Sequence, residues 1–392
     1  MSQVTATRMA DRQSILASIA ELKAEIEERC PEYFDYNAIR VRGQRGLKTL
    51  ERIGAALGID IYVCAPDSEV NAVDAMFEDA ISPCLGELDT EDVDWFPSTQ
   101  FIRPPVDRPI SDLLPARSAG GDLVYYAGGM GPDLVIVNAL SSKLDYWTRL
   151  IPLLMGQCRL VIWQLREDPN ATLMDHVADL GAIARAERLE SFDVLGWCTG
   201  PKIAMEYWRR NLGAVRSMIF LNGSLKASTR ADEDETEHER NLGILCRAVV
   251  DHPELAATMM KALRQIEGPD PSSPMEVLAA PNATLRDTIL YPFRDQAATA
   301  VYVRQMLDFL TYDVRELAPQ VDLPMLWIAS EYDQIASPRG ARRNARLFPR
   351  GEYVEIKSAT HYVLFDRPKA VVEPAVRFLQ SVQSRRPAAT IQ

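Results

Sequence analysis

The segment Gly196-Trp197-Cys198-Thr199-Gly200 constrains the fold more than any other part of the chain. Residues 192–195 before it have the pattern of a buried strand, and residues 201–210 after it begin with proline and have the pattern of a helix. A cysteine in such a strand-to-helix turn, with glycines two positions before and after, is typical of an exposed nucleophile. The partial positive charge at the start of the helix would favour the thiolate. The alternative is a buried structural cysteine in an ordinary turn.

Short, mostly apolar runs with the pattern of strands alternate with helical patterns from residue 123 onward. The runs cover residues 123–126, 134–137, 160–163, 192–195, 218–221, 325–329 and 353–356. The helical patterns cover residues 146–154, 173–186, 201–210 and 371–379. The run at 134–137 is wholly apolar, as expected for a strand buried on both faces of a parallel sheet. The alternation predicts an α/β fold, with a mostly parallel sheet and helices on both faces.

This pattern divides the chain into four parts. Residues 1–115 form an extra N-terminal region to which no role is assigned, and residues 116–224 and 320–392 form the two parts of the α/β core. Within the N-terminal region, helical and strand patterns cover residues 9–29, 44–57 and 59–63. Residues 225–319 lose the alternation and are predicted to form a helical lid insertion. The alternative is a helical subdomain that only covers the core.

Three residues that can perform acyl-transfer chemistry occur in a telling order along the chain. Cys198 comes first, Asp333 follows the apolar run at 325–329, and His361 follows the last run at 353–356. This order, with each residue just after a predicted strand, resembles the α/β-hydrolase family, in which nucleophile, acid and histidine follow one another in that sequence. The resemblance covers the chain from about residue 123 to residue 379. It implies an α/β-hydrolase fold and an enzyme.

The resemblance also implies roles for the residues of the site. Gly196 and Gly200 would allow the sharp turn, or elbow, that carries the cysteine. Cys198 would attack, His361 would move the proton, and Asp333 would orient the histidine. By the same resemblance, the backbone N–H of Thr199 and one from the loop after the run at 134–137, at Ala139 or Leu140, would stabilise the oxyanion. The sequence leaves the choice between these two loop residues open.

The chain contains four histidines, so a histidine-dependent mechanism has few candidates. His176 lies on a predicted helix and is interpreted as structural or as a surface residue. His238 lies in an acidic stretch and is interpreted as solvated. His252 follows Asp251 within the predicted lid and is given no catalytic role.

Composition excludes several classes of function. A formal net charge of −12 argues against nucleic-acid binding, and the chain has no run of eighteen apolar residues that would predict a membrane span. Six cysteines without CxxC spacing predict reduced thiols in the cytoplasm and argue against a metal site or a disulfide framework. No cofactor is expected. An oligomer is possible, but the sequence does not specify one.

Cysteine at the elbow narrows the expected chemistry. The layout is distantly similar to polyhydroxyalkanoate synthases, whose box is also G-x-C-x-G, although Pro201 and Thr360 replace glycines of those enzymes. An acyl-thioenzyme retains a reactive carbonyl. The expected function is therefore acyl transfer or thioester hydrolysis, with an acyl-CoA or an acyl-carrier-protein thioester as substrate. The alternatives are an ester or lactone hydrolase and a non-catalytic binding protein with the same fold.

A basic segment follows the predicted acid residue. Arg339, Arg342, Arg343 and Arg346, followed by Arg350, have the spacing of one stripe on a helix that begins near Pro338. Guanidinium groups bind phosphate and carboxylate. The functional interpretation is a docking surface for the phosphate of a pantetheine arm or for an acyl carrier protein. The alternative is a solvated face that pairs with the chain's own acids.

Overall fold

The chain was analysed as a computed structural model, which describes residues 38–42, 60–64, 75, 77–79, 109–228, 234–257, 288–357, 359–366 and 368–384. It divides into two compact units, residues 1–106 with 280–283, and residues 107–279 with 284–392. In the first unit, strand β1 (Ala38–Arg42) pairs in parallel with β2 (Asp60–Cys64). The strand predicted at 59–63 corresponds to β2. The helices predicted over 9–29 and 44–57 lie outside the described residues.

The second unit is built on an eight-stranded sheet. Its strands are β3 (Ala116–Ser118), β4 (Val124–Gly129), β5 (Asp133–Val137), β6 (Arg159–Trp163), β7 (Phe192–Trp197), β8 (Val215–Leu221), β9 (Met325–Ser330) and β10 (Gly351–Ile356). The strand order is β10-β9-β8-β7-β5-β6-β4-β3. The six strands from β10 to β6 run parallel, whereas β4 is antiparallel to both β6 and β3. The predicted fold class, an α/β-hydrolase fold with a mostly parallel sheet, is confirmed.

The central strands form because their residues are apolar on both faces. In β7 all six residues are buried, and in β5 the last four are. Residue Val135 pairs with Val194 across these two strands, and Leu195 pairs in turn with Ile219 of β8. Continuous burial of this kind is what a parallel sheet covered on both faces requires. It places the carboxyl ends of β5, β7, β8 and β9 along one edge of the sheet.

Nine helices among the described residues connect and cover the strands. They are α1 (Ile110–Leu113), α2 (Ile151–Leu154), α3 (Leu173–Ala186), α4 (Gly200–Arg210), α5 (Glu237–Asp251), α6 (Gln296–Phe309), α7 (Pro338–Ala345), α8 (Val363–Asp366) and α9 (Pro368–Ser384). Helices α3 and α4 pack against each other, and α9 packs against α2 and strands β8 to β10. None of the helices in the described part of the chain combines the length and the apolar character that crossing a membrane demands.

Helices α5 and α6 belong to the stretch predicted as a lid insertion, residues 225–319, and they pack against each other. A buried lysine ties this stretch to the core. The Lys202 ammonium on α4 donates to the backbone carbonyl of Lys226 and to those of Phe309 and Tyr312, at 2.6 and 3.0 Å for the latter two. These carbonyls lie at the start and at the end of the insertion. One side chain therefore anchors both of its ends.

Candidate active site

Cys198 occupies the sharp turn between β7 and α4. Its φ is +55°, a left-handed backbone conformation that residues other than glycine rarely adopt. A Cβ at Gly200 would lie 2.3 Å from the carbonyl oxygen of Val137, and one at Gly196 would lie 2.9 Å from the nitrogen of Pro201. Both positions therefore require glycine. Helix α4 begins immediately after the cysteine, with proline in its first turn, as the sequence predicted.

The backbone of the turn is tied to the neighbouring strand. The N–H of Cys198 donates to the carbonyl of Leu221 at 3.2 Å, and the N–H of Ser224 donates to the carbonyl of Cys198 at 2.8 Å. The backbone N–H and the backbone carbonyl of Cys198 thus both form hydrogen bonds, and these bonds hold its strained conformation. The thiol itself is only partly buried.

The structure brings together the predicted acid and histidine. Nδ1 of His361 lies 2.8 Å from Oδ2 of Asp333, and the two residues are 4% and 5% exposed. The other carboxylate oxygen accepts the N–H groups of Ile335 and Ala336, each at 2.8 Å. Because both oxygens have hydrogen-bond partners, the buried carboxylate is held in one position and can fix the orientation of the imidazole.

Asn222 was not singled out from the sequence, yet it fixes the backbone around the histidine. It follows β8 directly and has a φ of +44°. Its side-chain amide donates to the carbonyl of His361 at 3.0 Å, and its amide oxygen accepts the N–H of Ser330 at 2.9 Å. The available signal was its place at the carboxyl end of a central strand, where functional side chains of open α/β sheets collect.

The charge state of His361 follows from its surroundings. Burial lowers its pKa, but the charges of Asp333 and Cys198, together with hydrogen bonds to both, outweigh burial and raise the pKa to about 10. The indole of Trp197 packs against the imidazole, with ring centroids 5.4 Å apart. The histidine is therefore protonated at neutral pH. A protonated imidazole in this position can give its proton to a leaving group.

The loop after β5 approaches the start of α4. The N–H of Leu140 donates to the hydroxyl of Thr199 at 2.9 Å. The side chain of Asn138 stabilises this loop, since it donates to the carbonyl of Ser142 at 2.6 Å and accepts from the Trp147 indole at 2.9 Å. Of the two loop residues predicted as oxyanion donors, Leu140 thus has its N–H engaged. This arrangement favours the N–H of Ala139 as the second candidate oxyanion donor, beside the N–H of Thr199.

The remaining histidines differ from one another. His176 is fully buried on α3 against Phe309, and burial lowers its pKa to about 4. His252 is exposed and lies 3.3 Å from Glu254. His238 departs from the sequence interpretation: it is half-buried in the first turn of α5 rather than solvated in a loop, and the charges of His361 and Asp333 both act on it.

Tyr302 on α6 was also missed. It packs against the hydrophobic core, and its ring lies 5.3 Å from that of Phe293. Burial raises the pKa of its phenol well above the ordinary value, and the charges of Cys246, Cys198 and Tyr362 raise it further. The insertion therefore places a neutral phenol, as well as His238, within electrostatic range of the candidate triad. Sequence spacing alone carried no signal for either residue, because the packing of a helix determines the position of each.

The basic segment forms helix α7, which begins at Pro338 as predicted. Arg342 pairs with Glu355 at 3.0 Å, and Arg343 pairs with Asp234 at 2.9 Å. Arg339 and Arg346 are exposed and form no ion pair with any described residue. The stripe is thus partly neutralised by the chain's own acids. No group of three or more potential metal-ligating side chains was found in the residues that the structure describes.

The part of the chain that carries the candidate triad matches a known protein family. The model of the alpha/beta hydrolase family matches residues 129–373, which span the sheet from the end of β4 and all three residues of the candidate triad. A pyrrolizixenacetamide deacetylase of Xenorhabdus hominickii is 22% identical over 265 residues, covering 66% of this chain and 94% of that protein.

Two solved structures illustrate the shared fold. An enol-lactonase from Burkholderia xenovorans LB400 superposes with a TM-score of 0.52 at 18% identity, over 68% of this chain and 100% of that one. A thermophilic esterase from Thermogutta terrifontis gives a TM-score of 0.51 at 18% identity, over 69% of this chain and 97% of that one. At these identities the likeness is one of fold.

Proposed function

This chain belongs to the alpha/beta hydrolase family, and from that premise we propose that it cleaves an activated acyl compound through a covalent acyl-Cys198 intermediate. One observation carries the proposal. Cys198 is held at φ +55° in the turn between β7 and α4, beside a buried His361 that is hydrogen-bonded to Asp333 at 2.8 Å. Strain at one residue, a charged histidine next to a thiol and a buried carboxylate behind it form the arrangement that nucleophilic catalysis requires.

In the first step, the Cys198 thiolate attacks the acyl carbonyl and a carbon–sulfur bond forms. The developing oxyanion accepts hydrogen bonds from the N–H of Thr199, at the positive end of α4, and from the N–H of Ala139. As the intermediate collapses, His361 gives its proton to the leaving group. The raised pKa of His361 ensures that this proton is present at neutral pH.

In the second step, an acceptor attacks the thioester carbonyl. His361, now neutral, takes a proton from the acceptor, and the thiolate leaves as the carbon–sulfur bond breaks. Asp333 holds the imidazole in one orientation through both proton transfers. A thioester is an efficient acyl donor, so water, an alcohol or an amine can each serve as acceptor.

The substrate that we favour is a thioester such as an acyl-CoA or an acyl-carrier-protein conjugate. Exchange between two thioesters is nearly isoenergetic, so a cysteine enzyme can take an acyl group from such a donor at little cost. Helix α7, with exposed Arg339 and Arg346, offers positive charge near Asp333 for the phosphate of the donor.

Ester or lactone hydrolysis is the second candidate. The similar proteins include an enol-lactonase, an esterase and a deacetylase, and the triad geometry serves those substrates equally well. The two candidates share the acyl-cysteine and differ in the leaving group. They are separated by the relative rates at which thioesters, aryl esters and lactones acylate the same cysteine.

The decisive experiment is intact-protein mass spectrometry after incubation with acyl-CoA, acyl-pantetheine, an aryl ester and a lactone. The expected result is an acyl adduct on the wild type and on Cys158→Ala, a buried-cysteine control, and none on Cys198→Ala. Cys198→Ser should retain some hydrolysis but transfer less of the acyl group to other acceptors, because an oxyester is the poorer donor. An unlabelled wild type would instead support a binding protein without catalysis.

A further inference from the structure

The first turn of α5 is fixed onto the candidate active site by side chains. Thr236, which caps the helix, donates its hydroxyl hydrogen to the carbonyl of Ile335 at 3.2 Å, two residues after the acid Asp333. The carboxylate of Glu239 accepts the N–H of Ser337 at 3.2 Å and the hydroxyl of Ser224 at 2.8 Å. The turn is thus attached both to the loop of the acid and to the segment that follows β8.

Ser224 links this attachment to the nucleophile, because its N–H also donates to the carbonyl of Cys198. His238 lies in the same helical turn, between Thr236 and Glu239. It is half-buried, and the charges of His361 and Asp333 act on it. The helical turn that carries His238 is therefore attached to the segments that follow both Asp333 and Cys198.

We propose that His238 binds the acyl acceptor in the second step and selects acceptors that carry two hydrogens on the attacking atom, namely water or a primary amine. This inference rests on the proposed function, because it requires an acyl group on Cys198. The attacking oxygen or nitrogen gives one proton to His361 while its second hydrogen is donated to the His238 nitrogen. An alcohol has one O–H hydrogen, so it would leave the acceptor nitrogen of His238 without a partner.

The bonds balance in this scheme. With water, a carbon–oxygen bond forms, one proton moves to His361, and the carbon–sulfur bond breaks to give a thiolate and an imidazolium. The second hydrogen stays on the product acid, and His238 is neutral before and after. With a primary amine the product is an amide, and the second hydrogen remains on its nitrogen.

The surroundings of His238 keep it in the neutral form that accepts a hydrogen bond. Burial lowers its pKa first, the charge of His361 lowers it further, and Asp333 opposes both, with a resulting pKa of about 4. Glu237 and Glu239 are the other titratable groups in its own turn. The pKa values of the two histidines thus lie on opposite sides of pH 7, so that one is protonated and the other neutral. Such a separation of pKa values is how a site divides acid and base roles.

The test follows single-turnover deacylation of acyl-Cys198, formed from an acyl-pantetheine, with water, hydroxylamine and methanol as acceptors. Hydroxylamine carries two hydrogens on its attacking nitrogen, whereas methanol carries one on oxygen. In His238→Leu we expect deacylation by water and by hydroxylamine to slow about ten-fold, the loss of one hydrogen bond. The slowing of deacylation by methanol should be less than half as large as the slowing with water or hydroxylamine. His238→Gln, whose amide oxygen accepts hydrogen bonds, should recover part of the loss.

His252→Leu, on the residue that ends the same helix, is the matched control and should match the wild type for all three acceptors. The acylation rate of each variant, measured in the same experiment, reports whether the site is intact. Equal slowing of all three acceptors, or of acylation and deacylation together, would overturn the role of His238. Failure of the wild type to acquire an acyl group would instead overturn the proposed function.

Discussion

The core and the insertion at residues 225–319 hold their candidate functional residues in different ways. In the core, Cys198, Asn222 and Asp333 follow the carboxyl ends of β7, β8 and β9, where hydrogen bonds between strands determine the backbone. In the insertion, His238 and Tyr302 lie on helices, and α5 is held by side-chain hydrogen bonds from Thr236 and Glu239. The first mode is set by backbone pairing, and the second depends on a few side-chain contacts.

This difference indicates a division of labour. In the proposed mechanism the core residues form the acyl-enzyme, a step that demands tight geometry. The insertion lies outside the strand pairing of the sheet, so we expect it to influence the choice of substrate and acceptor. Changes in the core should therefore abolish chemistry, whereas changes in the insertion should alter selectivity.

The largest effect is expected in the core, at His361. His361→Ala removes the group that moves the proton, whereas Asp333→Asn removes only its orienting partner, so the first should cost about a hundred-fold more in kcat/KM. Asp333→Asn should also show a distinct pH profile. The charge of Asp333 helps to raise the pKa of His361 to about 10, so acylation in the wild type should decline only as the pH approaches that value, where the imidazolium loses its proton.

In Asp333→Asn that alkaline decline should move to lower pH, because the imidazolium is less stabilised. The measurement is the acylation rate of each protein from pH 6 to pH 11. The contrast between core and insertion would be wrong if His361→Ala retained most of the activity. It would also be wrong if His176→Ala, a change in the buried histidine of α3, lowered the activity more than His361→Ala.

An intermediate effect is expected where the insertion is attached. Glu239→Gln replaces one carboxylate oxygen by an NH₂ group, which cannot accept a hydrogen bond. The side chain then cannot accept hydrogen bonds on separate oxygens from both the hydroxyl of Ser224 and the N–H of Ser337. The change should lower the free energy of unfolding by about 1–3 kcal/mol, the cost of a buried group without its partner. It should change the partition of the acyl group among acceptors more than the acylation rate.

The matched control is Glu237→Gln, an exposed position in the same turn, which should behave as the wild type. Thermal unfolding and acceptor partition are measured on both variants. If Glu239→Gln slowed acylation as strongly as deacylation, α5 would belong functionally to the core, and the division proposed above would fail.

The smallest effect is expected on the surface of α7. Arg339→Glu combined with Arg346→Glu reverses two exposed charges that have no ion-pair partner among the described residues. If this helix docks a phosphate-bearing donor, KM for acyl-CoA should rise about two- to ten-fold at low salt. The rise should diminish at high salt, while a short uncharged thioester remains unaffected.

Arg377→Glu on α9, at an exposed arginine paired with Glu373, is the control for a general loss of positive charge. If KM for acyl-CoA in the double variant stayed at its wild-type value, α7 would be an ordinary solvated face. Substrate selection would then be assigned to the insertion alone, which would strengthen the contrast between the insertion and the core.

The sequence predicted those parts that depend on local pattern. The apolar runs predicted seven strands of the large sheet, and the elbow glycines predicted a close approach that the structure shows between Gly200 and Val137. Strand β3, only three residues long and exposed, had no such pattern. The acidic neighbours of His238 suggest a solvated loop, whereas the capping box of Thr236 with Glu239 makes the same residues the partly buried first turn of a helix.

Lys202 has a consequence for how this protein can evolve. Because one ammonium binds the carbonyls of Lys226, Phe309 and Tyr312, the entry and exit of the insertion remain together whatever sequence runs between them. The entropy of closing a loop grows slowly, by about 0.6 kcal/mol for each doubling of length. Changes of length between α5 and α6 should therefore cost little free energy, provided that the packing of these two helices against the core is kept. The core is in this sense a scaffold that tolerates insertions of different length between two fixed ends.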